Sequence, residues 1–393
     1  MDEIYNIKEI DGEEWVIFED YFNEELTPEI INFLSNYQRV KFGWYFNQPI
    51  HENSSTGKSS ILPNSILYLE LGFHFNQSVD NLPSGLTHLK FGNSFNQPVD
   101  NLPNSLTHLE IGDSFDQPID ISDDDSPTGK SSILPNSLTH LILGNCFNHP
   151  VDNLPNSLTY LAFLWSFNQP VNNLPNSLQT LIFGQEFNQP VDNLPNSLTH
   201  LTFKTMFNKP VDNLPESLTY LSFGDHFNQP VDNLPESITY LQFNYEFNQP
   251  VNNLPKSLTT LRFGVKFNQP VDNLPKSIKT LRFGWCFNQP VTYQTDSSQN
   301  GKSLTLLPNG LTTLKIHGEF NQPIDNLPDS LIHLEVGSGF NQPVDNLPES
   351  LTVLIFRDNF DQPIKKFPES LKKIEISENY SHPLPDNIEV VKI

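Results

Sequence analysis

The stretch Phe167-Asn-Gln-Pro-Val-Asn-Asn-Leu-Pro-Asn-Ser-Leu-Gln-Thr-Leu-Ile-Phe-Gly-Gln-Glu186 is followed at once by a second version of itself, beginning at Phe187. Phenylalanines at 147, 167, 187, 207, 227, 247, 267 and 287 set the period at twenty residues. A fixed period of about 20 to 50 residues marks an array of stacked coils, each too small to bury its apolar face alone. The segment Leu158-Thr-Tyr-Leu-Ala-Phe163 is rich in strand formers, and Pro155 and Pro170 bracket it. Proline is excluded from central strands, so each unit offers one short strand and a polar return.

Outward from that unit, equivalent strands are predicted to lie side by side in parallel, about 4.8 Å apart. They are expected to begin at residues 37, 66, 86, 106, 138, 158, 178, 198, 218, 238, 258, 278, 311, 331, 351, 371 and 388. The expected fold is mainly β: a curved solenoid of twenty-residue repeats with a parallel sheet and a small N-terminal α/β cap. Within a coil, Leu158, Leu161 and Phe163 point inward, Phe167 packs beneath the return, and Val171 with Leu174 closes the far side. Asn168 and its equivalents fall in a turn, where an amide side chain can satisfy backbone groups left open by the bend. Asp116 and Asp361, which replace that asparagine, keep an acceptor oxygen. Asp152, Asp192, Asp212, Asp232 and Asp272 are expected to do similar turn work.

Residues 1–36 stand outside the repeat and form the expected cap; the solenoid is expected over 37–393. Tyr5-Asn-Ile-Lys-Glu-Ile10 and Glu13-Glu-Trp-Val-Ile-Phe18 flank Asp11-Gly12, a pair that favours a tight hairpin. Thr27-Pro28-Glu29 reads as a helix start, with Thr27 as N-cap. Segments 51–61, 120–133 and 292–306 interrupt the period as Ser-, Thr- and Asp-rich loop insertions that leave the register intact. The C-terminal strand has no legible cap, so its edge is expected to be guarded by Lys392 or covered by an oligomeric contact.

Charge and cysteine content narrow the function. The 393 residues carry 46 acidic and 22 basic side chains, a net charge of −24, which disfavours nucleic acid and anionic membranes as partners. Eleven of the acids lie within the first 30 residues. Cys146 and Cys286 form no CxxC, the start is too acidic for a signal peptide, and no apolar run suits a membrane span. An intracellular, cytoplasmic protein is expected. Gly57-Lys58-Ser59, Gly129-Lys130-Ser131 and Gly301-Lys302-Ser303 lack the earlier glycine of a phosphate loop and read as solvated insertion.

The unit FNQPVDNLPNSLTHLTFG resembles the FNIP repeat, and over 37–393 the chain is similar to leucine-rich-repeat proteins of amoebae and the large DNA viruses that infect them. The resemblance implies a binding or scaffolding role without catalysis. Some FNIP proteins join the repeats to an F-box, and Leu26-Thr-Pro-Glu-Ile-Ile-Asn-Phe-Leu34 resembles the first F-box helix. An adaptor for a ubiquitin ligase is therefore the alternative reading.

Two outward columns hold the candidate site. One runs Arg39, Tyr68, His88, His108, His140, Tyr160, Thr180, His200, Tyr220, Tyr240, and on through Thr260 to Val353. Stacked histidines and aromatics there are read as a solvated or partner-facing ladder, with no metal. The next column alternates Lys41, Glu70, Lys90 and Glu110, passes Ile142, Ala162 and Ile182, and reaches Arg262, Arg282 and Lys315. Three like charges on consecutive rungs cost stability unless something acidic lies against them. Lys256, Lys266, Lys276 and Lys279 come from the same coils. Tyr160, Ile182, Tyr220 and Tyr240 are the expected apolar anchors, with Arg262, Arg282 and Lys315 engaging a protein partner's acidic groups. No cofactor or catalytic residue is expected, since no GxSxG, HExxH, GxGxxG or His–Cys pairing is present.

Overall fold

A computed structural model describes residues 4–54, 57–120, 132–294 and 303–393. It divides into two compact units, residues 1–198 and 199–393, each taken by itself. In both, the proline before the strand shapes its entry. Leu158 donates its N–H to the Pro155 carbonyl at 3.0 Å, and the N–H groups of Thr159 and Tyr160 then share the Thr139 carbonyl of the preceding coil at 2.9 and 3.0 Å. Regular pairing starts only after that shared acceptor. The strand is therefore Tyr160–Phe163, two residues later than expected from residue 158. The same correction applies along the repeat, and by one residue at the last strand, Glu389–Lys392.

In the first unit, β1 (Tyr5–Ile10) and β2 (Glu13–Phe18) form an antiparallel hairpin. Its turn places Asp11 at φ 55° and Gly12 at φ 80°, the left-handed region that Asp-Gly supplies at low cost. Helix α1 (Pro28–Leu34) follows, with the Thr27 side chain accepting the Ile30 N–H at its start. β2 runs parallel to the first rung, Arg39–Lys41, so the sheet begins on a hairpin rather than on a bare repeat strand. The rungs Tyr68–Glu70, His88–Lys90, His108–Glu110, His140–Leu143, Tyr160–Phe163 and Thr180–Ile182 then pair in parallel and in register.

The second unit repeats the plan. His200–Thr202, Tyr220–Ser222, Tyr240–Gln242, Thr260–Arg262, Thr280–Phe283, Thr313–Ile316, His333–Val336, Val353–Phe356, Lys373–Ile376 and Glu389–Lys392 form consecutive parallel rungs. Lys392 lies exposed on this last strand. Its Nζ donates to the Ser377 and Tyr380 carbonyls at 3.2 and 3.4 Å and lies 5.6 Å from the centre of the Tyr380 ring.

Both units have the same interior. Leu158, Leu161, Phe163, Phe167, Val171 and Leu174 are all buried, as are Leu218, Leu221, Phe223, Phe227, Val231 and Leu234. Burying each such side chain is worth roughly 1.5–3 kcal/mol. The phenylalanines stack within a coil (Phe163 on Phe167, 3.6 Å) and between coils (Phe167 on Phe187, 6.1 Å). The turn asparagines bond across coils rather than within one: Asn148 Oδ1 accepts the Asn168 N–H, and Asn168 Oδ1 accepts the Asn188 N–H, each at 2.9 Å. Asp361 keeps this role, accepting the Ser381 N–H at 3.0 Å. The aspartates bond to neighbouring amide side chains: Asp152 accepts from Asn173 Nδ2 at 3.0 Å and Asp232 from Asn253 Nδ2 at 3.2 Å.

Two insertions differ from the expected loops. His51–Ser54 pairs with Gly57–Ser60, and Thr292–Gln294 with Ser303–Thr305, as antiparallel hairpins. At the third, Asp120 bridges Ser132, and residues 121–131 lie outside the described residues. Gly57-Lys58-Ser59 is part of a hairpin strand, with no helix after it. Gly129-Lys130-Ser131 and Gly301-Lys302 lie outside the described residues.

Candidate functional site

Most rungs have the form x-Leu-x, with the leucine turned inward (Val40 and Ile374 take its place at two others), so the flanking residues form two outward columns. In the first unit the upstream column is an aromatic ladder. Trp15 and Tyr68 meet edge-on at 4.7 Å, and the Arg39 guanidinium lies 5.9 and 5.8 Å from their ring centres. Tyr68, His88, His108, His140 and Tyr160 then stack with centroid spacings of 5.0, 4.1, 4.2 and 5.6 Å.

The threonine before each of the three central histidines decides its tautomer. Thr87, Thr107 and Thr139 donate their hydroxyl protons to the carbonyls of Leu67, Thr87 and Thr107 of the preceding coil. Each Oγ1 lies 2.9 Å from Nδ1 of the next histidine. With its proton committed, the hydroxyl can only accept, so the imidazole supplies an Nδ1–H and keeps a bare Nε2. Burial lowers the His108 pKa to about 4, helped by the neighbouring His88 and His140. His88 is lowered by burial and by Arg39. Near-parallel rings set these nitrogens side by side, whereas tetrahedral metal ligands converge on one point. Among the described residues, no group of three or more His, Cys, Asp or Glu is placed to hold a metal ion.

The downstream column of this unit neutralises itself. Lys41 pairs with Glu70 and Lys90 with Glu110, each at 2.7 Å on adjoining rungs. Beyond them Ala162 is buried, and Ile182 lies half-buried beside it in register. Of the expected anchors, this unit holds Tyr160 and Ile182.

The second unit holds Tyr220, Tyr240, Arg262, Arg282 and Lys315. The tyrosines stack on each other at 4.4 Å, which hides part of their ring faces and leaves mainly edges and hydroxyls to a visitor. Tyr240 donates its hydroxyl to Gln242 Oε1 at 2.7 Å, and the Arg262 guanidinium lies 5.6 Å from the Tyr240 ring centre. Arg262, Arg282, Lys315 and Glu335 occupy consecutive rungs in register. Glu335 is the acid such a stack requires. It is 5% exposed, and its carboxylate meets Lys315 at 3.1 Å and Arg357 at 2.9 Å. Burial alone would raise its pKa, but the bonds from Arg357 and Lys315 prevail and hold it below the usual carboxylate value.

Arg282 is different. It is exposed and makes no ion pair among the described residues. Together with Arg262, Arg357, His317, Trp285 and Glu335 it lines an open cleft of about 610 Å³. The cleft's glycines bring backbones too close for side chains: a Cβ on Gly284 would fall 1.9 Å from the Gly264 carbonyl oxygen.

Lys315 does not line this cleft, being tied to Glu335 instead. Lys266 pairs with Glu246 at 2.7 Å and Lys279 Nζ donates to the Gly310 carbonyl at 3.1 Å, so these lysines are not spare charges. Sequence reasoning missed Arg357, His317 and Trp285, which follow the strand core and fall outside the two columns. Cys146 and Cys286 are free thiols in different units.

The FNIP repeat model matches eleven overlapping stretches: 54–94, 75–101, 95–122, 127–164, 147–185, 167–206, 207–233, 227–266, 267–293, 300–339 and 340–379. The chain belongs to the FNIP repeat family. Its fold is similar to that of CroV588, described as a novel circular LRR protein, with a TM-score of 0.74 and 38% identity. That likeness covers 95% of the FNIP chain but 61% of CroV588, so this chain spans less than two thirds of that protein's length. YopM from Yersinia enterocolitica shares the fold at a TM-score of 0.52 and 20% identity, covering 96% of this chain and 86% of YopM. The structure of the Drosophila Toll–Spätzle complex matches at 0.51 and 14%, covering 94% of this chain and 55% of the matched one. No curated protein matches the sequence. The FNIP chain is thus an LRR-like repeat solenoid, and no helix among the described residues is long and apolar enough to cross a membrane.

Proposed function

We propose that this FNIP chain is a non-catalytic scaffold that binds a protein partner through its strand columns, with the second unit supplying the contact for the partner's acidic groups. One observation carries the reading. Charges on the first unit's face pair off rung by rung, while Arg282 stands exposed between Arg262 and Lys315 with no acid of its own. An unneutralised cation on a protein of net charge −24 gives directional attraction to acidic groups. The stacked Tyr220 and Tyr240 occupy the two rungs before Arg262 and add rigid, amphipathic edge surface of the kind enriched at interfaces. Catalysis needs unlike groups converging on one reacting atom. In-register columns instead set like beside like.

The test compares capture by the wild type and by the double variant R262E/R282E from cells that naturally make the protein, with quantitative mass spectrometry. Lys315 is left alone because Glu335 depends on it. A partner recovered by the wild type is expected to fall roughly tenfold with the variant, the loss of a charge-assisted contact. Circular dichroism should be unchanged. Equal recovery would remove this face from the interface.

A further inference from the structure

Within the cleft of the second unit, the balance of charge is uneven. Arg262, Arg282 and Arg357 line it against a single carboxylate, Glu335, whose two oxygens are already taken by Arg357 and by Lys315 from outside the cleft. Arg262 is steadied by the Tyr240 ring. Arg282 has no such support and reaches solvent. Beside it, His317 Nε2 is buried without a hydrogen-bond partner. Groups of this kind are costly to leave unsatisfied. An oxyanion in the cleft would meet the forked guanidinium donors and lie beside the His317 ring, which also lines it.

We infer that the cleft bounded by Arg262, Arg282, His317 and Arg357 is a binding site for an oxyanion, a phosphate or carboxylate group. The inference rests on the reading of this strand face as the working surface, and it names the chemistry of what that surface holds. The backbone approach at Gly264 and Gly284 keeps the cleft free of side chains there, so a group of this size can come close to the chain.

His317 gives the site a pH signature. Burial, then the charge of Arg282, then Lys315 and Arg357 hold the imidazole pKa down, with Glu335 as the one opposing charge. A bound anion adds to the side of Glu335. The imidazole then takes up a proton on binding, so affinity rises as pH falls from neutrality.

The experiment titrates the 393-residue chain with inorganic phosphate, and separately with glutarate, at constant ionic strength set with chloride. Heat and the His317 ring resonances are followed. Saturable binding is expected for at least one anion, and whichever binds tighter identifies the preferred group. Arg282→Ala breaks no ion pair among the described residues and should weaken binding about tenfold, as expected for a charge-assisted contact. Lys256→Ala, made as a control, should leave it unchanged. An upward shift of the His317 titration on saturation completes the expected result. No saturable binding of either anion, or binding indifferent to Arg282→Ala, overturns the inference. Because no protein partner is involved, that failure is separable from failure of the capture experiment.

Discussion

The two units share one interior and present different exteriors. The inward Leu and Phe positions of the first unit's repeat coils recur in the second, yet the outward face closes on itself: Lys41 meets Glu70, Lys90 meets Glu110, and the histidines stack ring on ring. In the second, three cations share consecutive rungs and a single buried acid serves Lys315 and Arg357. The period dictates where side chains sit, because a register shift would turn core residues out to solvent. It says nothing about which charge an outward position carries. The contrast between the faces is therefore written in positions the fold leaves free, which is where function can be placed without cost to the coil.

The strongest way to break this comparison is to show that the interiors differ. Phe167→Ala in the first unit and Phe227→Ala in the second each remove a buried ring that stacks within and between coils. Each is expected to cost about 3–5 kcal/mol. Hydrogen exchange followed separately in residues 1–198 and 199–393 should report equal losses. Unequal ones would show that the units differ in packing as well as in surface.

A smaller effect should sharpen the contrast. Glu335→Gln strips the acid from Lys315 and Arg357 at a buried position, and about 1–3 kcal/mol of stability should go with it. Glu110→Gln breaks a pair in which both side chains are about two-fifths exposed, and less than about 1 kcal/mol should follow. Urea unfolding of both variants checks the order. A larger loss for Glu110→Gln would reverse the account.

The smallest effect is spread over pH. His108 has its folded pKa lowered to about 4 from the usual 6.5, so the unfolded chain takes up this proton first. Its neutral-ring contribution is complete above pH 6.5 and is lost as pH falls toward about 4. Stability of the first unit should decline across that window, and less so in His108→Asn. A His108 resonance titrating near 6.5 would contradict the stacked, half-buried ring.

Most of the fold was legible because one twenty-residue stretch repeats with its prolines in fixed places, and Asp11-Gly12 and Thr27-Pro28 announced the hairpin and helix before it. The strand starts were misjudged because Thr159 looks like strand in sequence, while its N–H competes with that of Tyr160 for the same carbonyl. The insertions looked like loops since Ser and Thr are ambiguous between turn and hairpin. For the site, reading along columns found Arg262, Arg282 and Lys315. The same column continues to Glu335, the rung neighbour of Lys315. Arg357, His317 and Trp285 lie past the strand core, where chain direction changes and rung spacing no longer says which side chains meet.

The turn asparagines have one last implication. Each Oδ1 completes the coil that comes after its own, so this turn bond does not depend on a coil's serial number, unlike the ion pairs Lys41–Glu70 and Lys315–Glu335. Adding or deleting a twenty-residue coil of the uniform kind leaves the turn amides beside it with an acceptor. The length of such a chain is a countable quantity, open to change by unequal recombination in whole-coil steps, and the spacing between any two surface features can be reset without redesigning either.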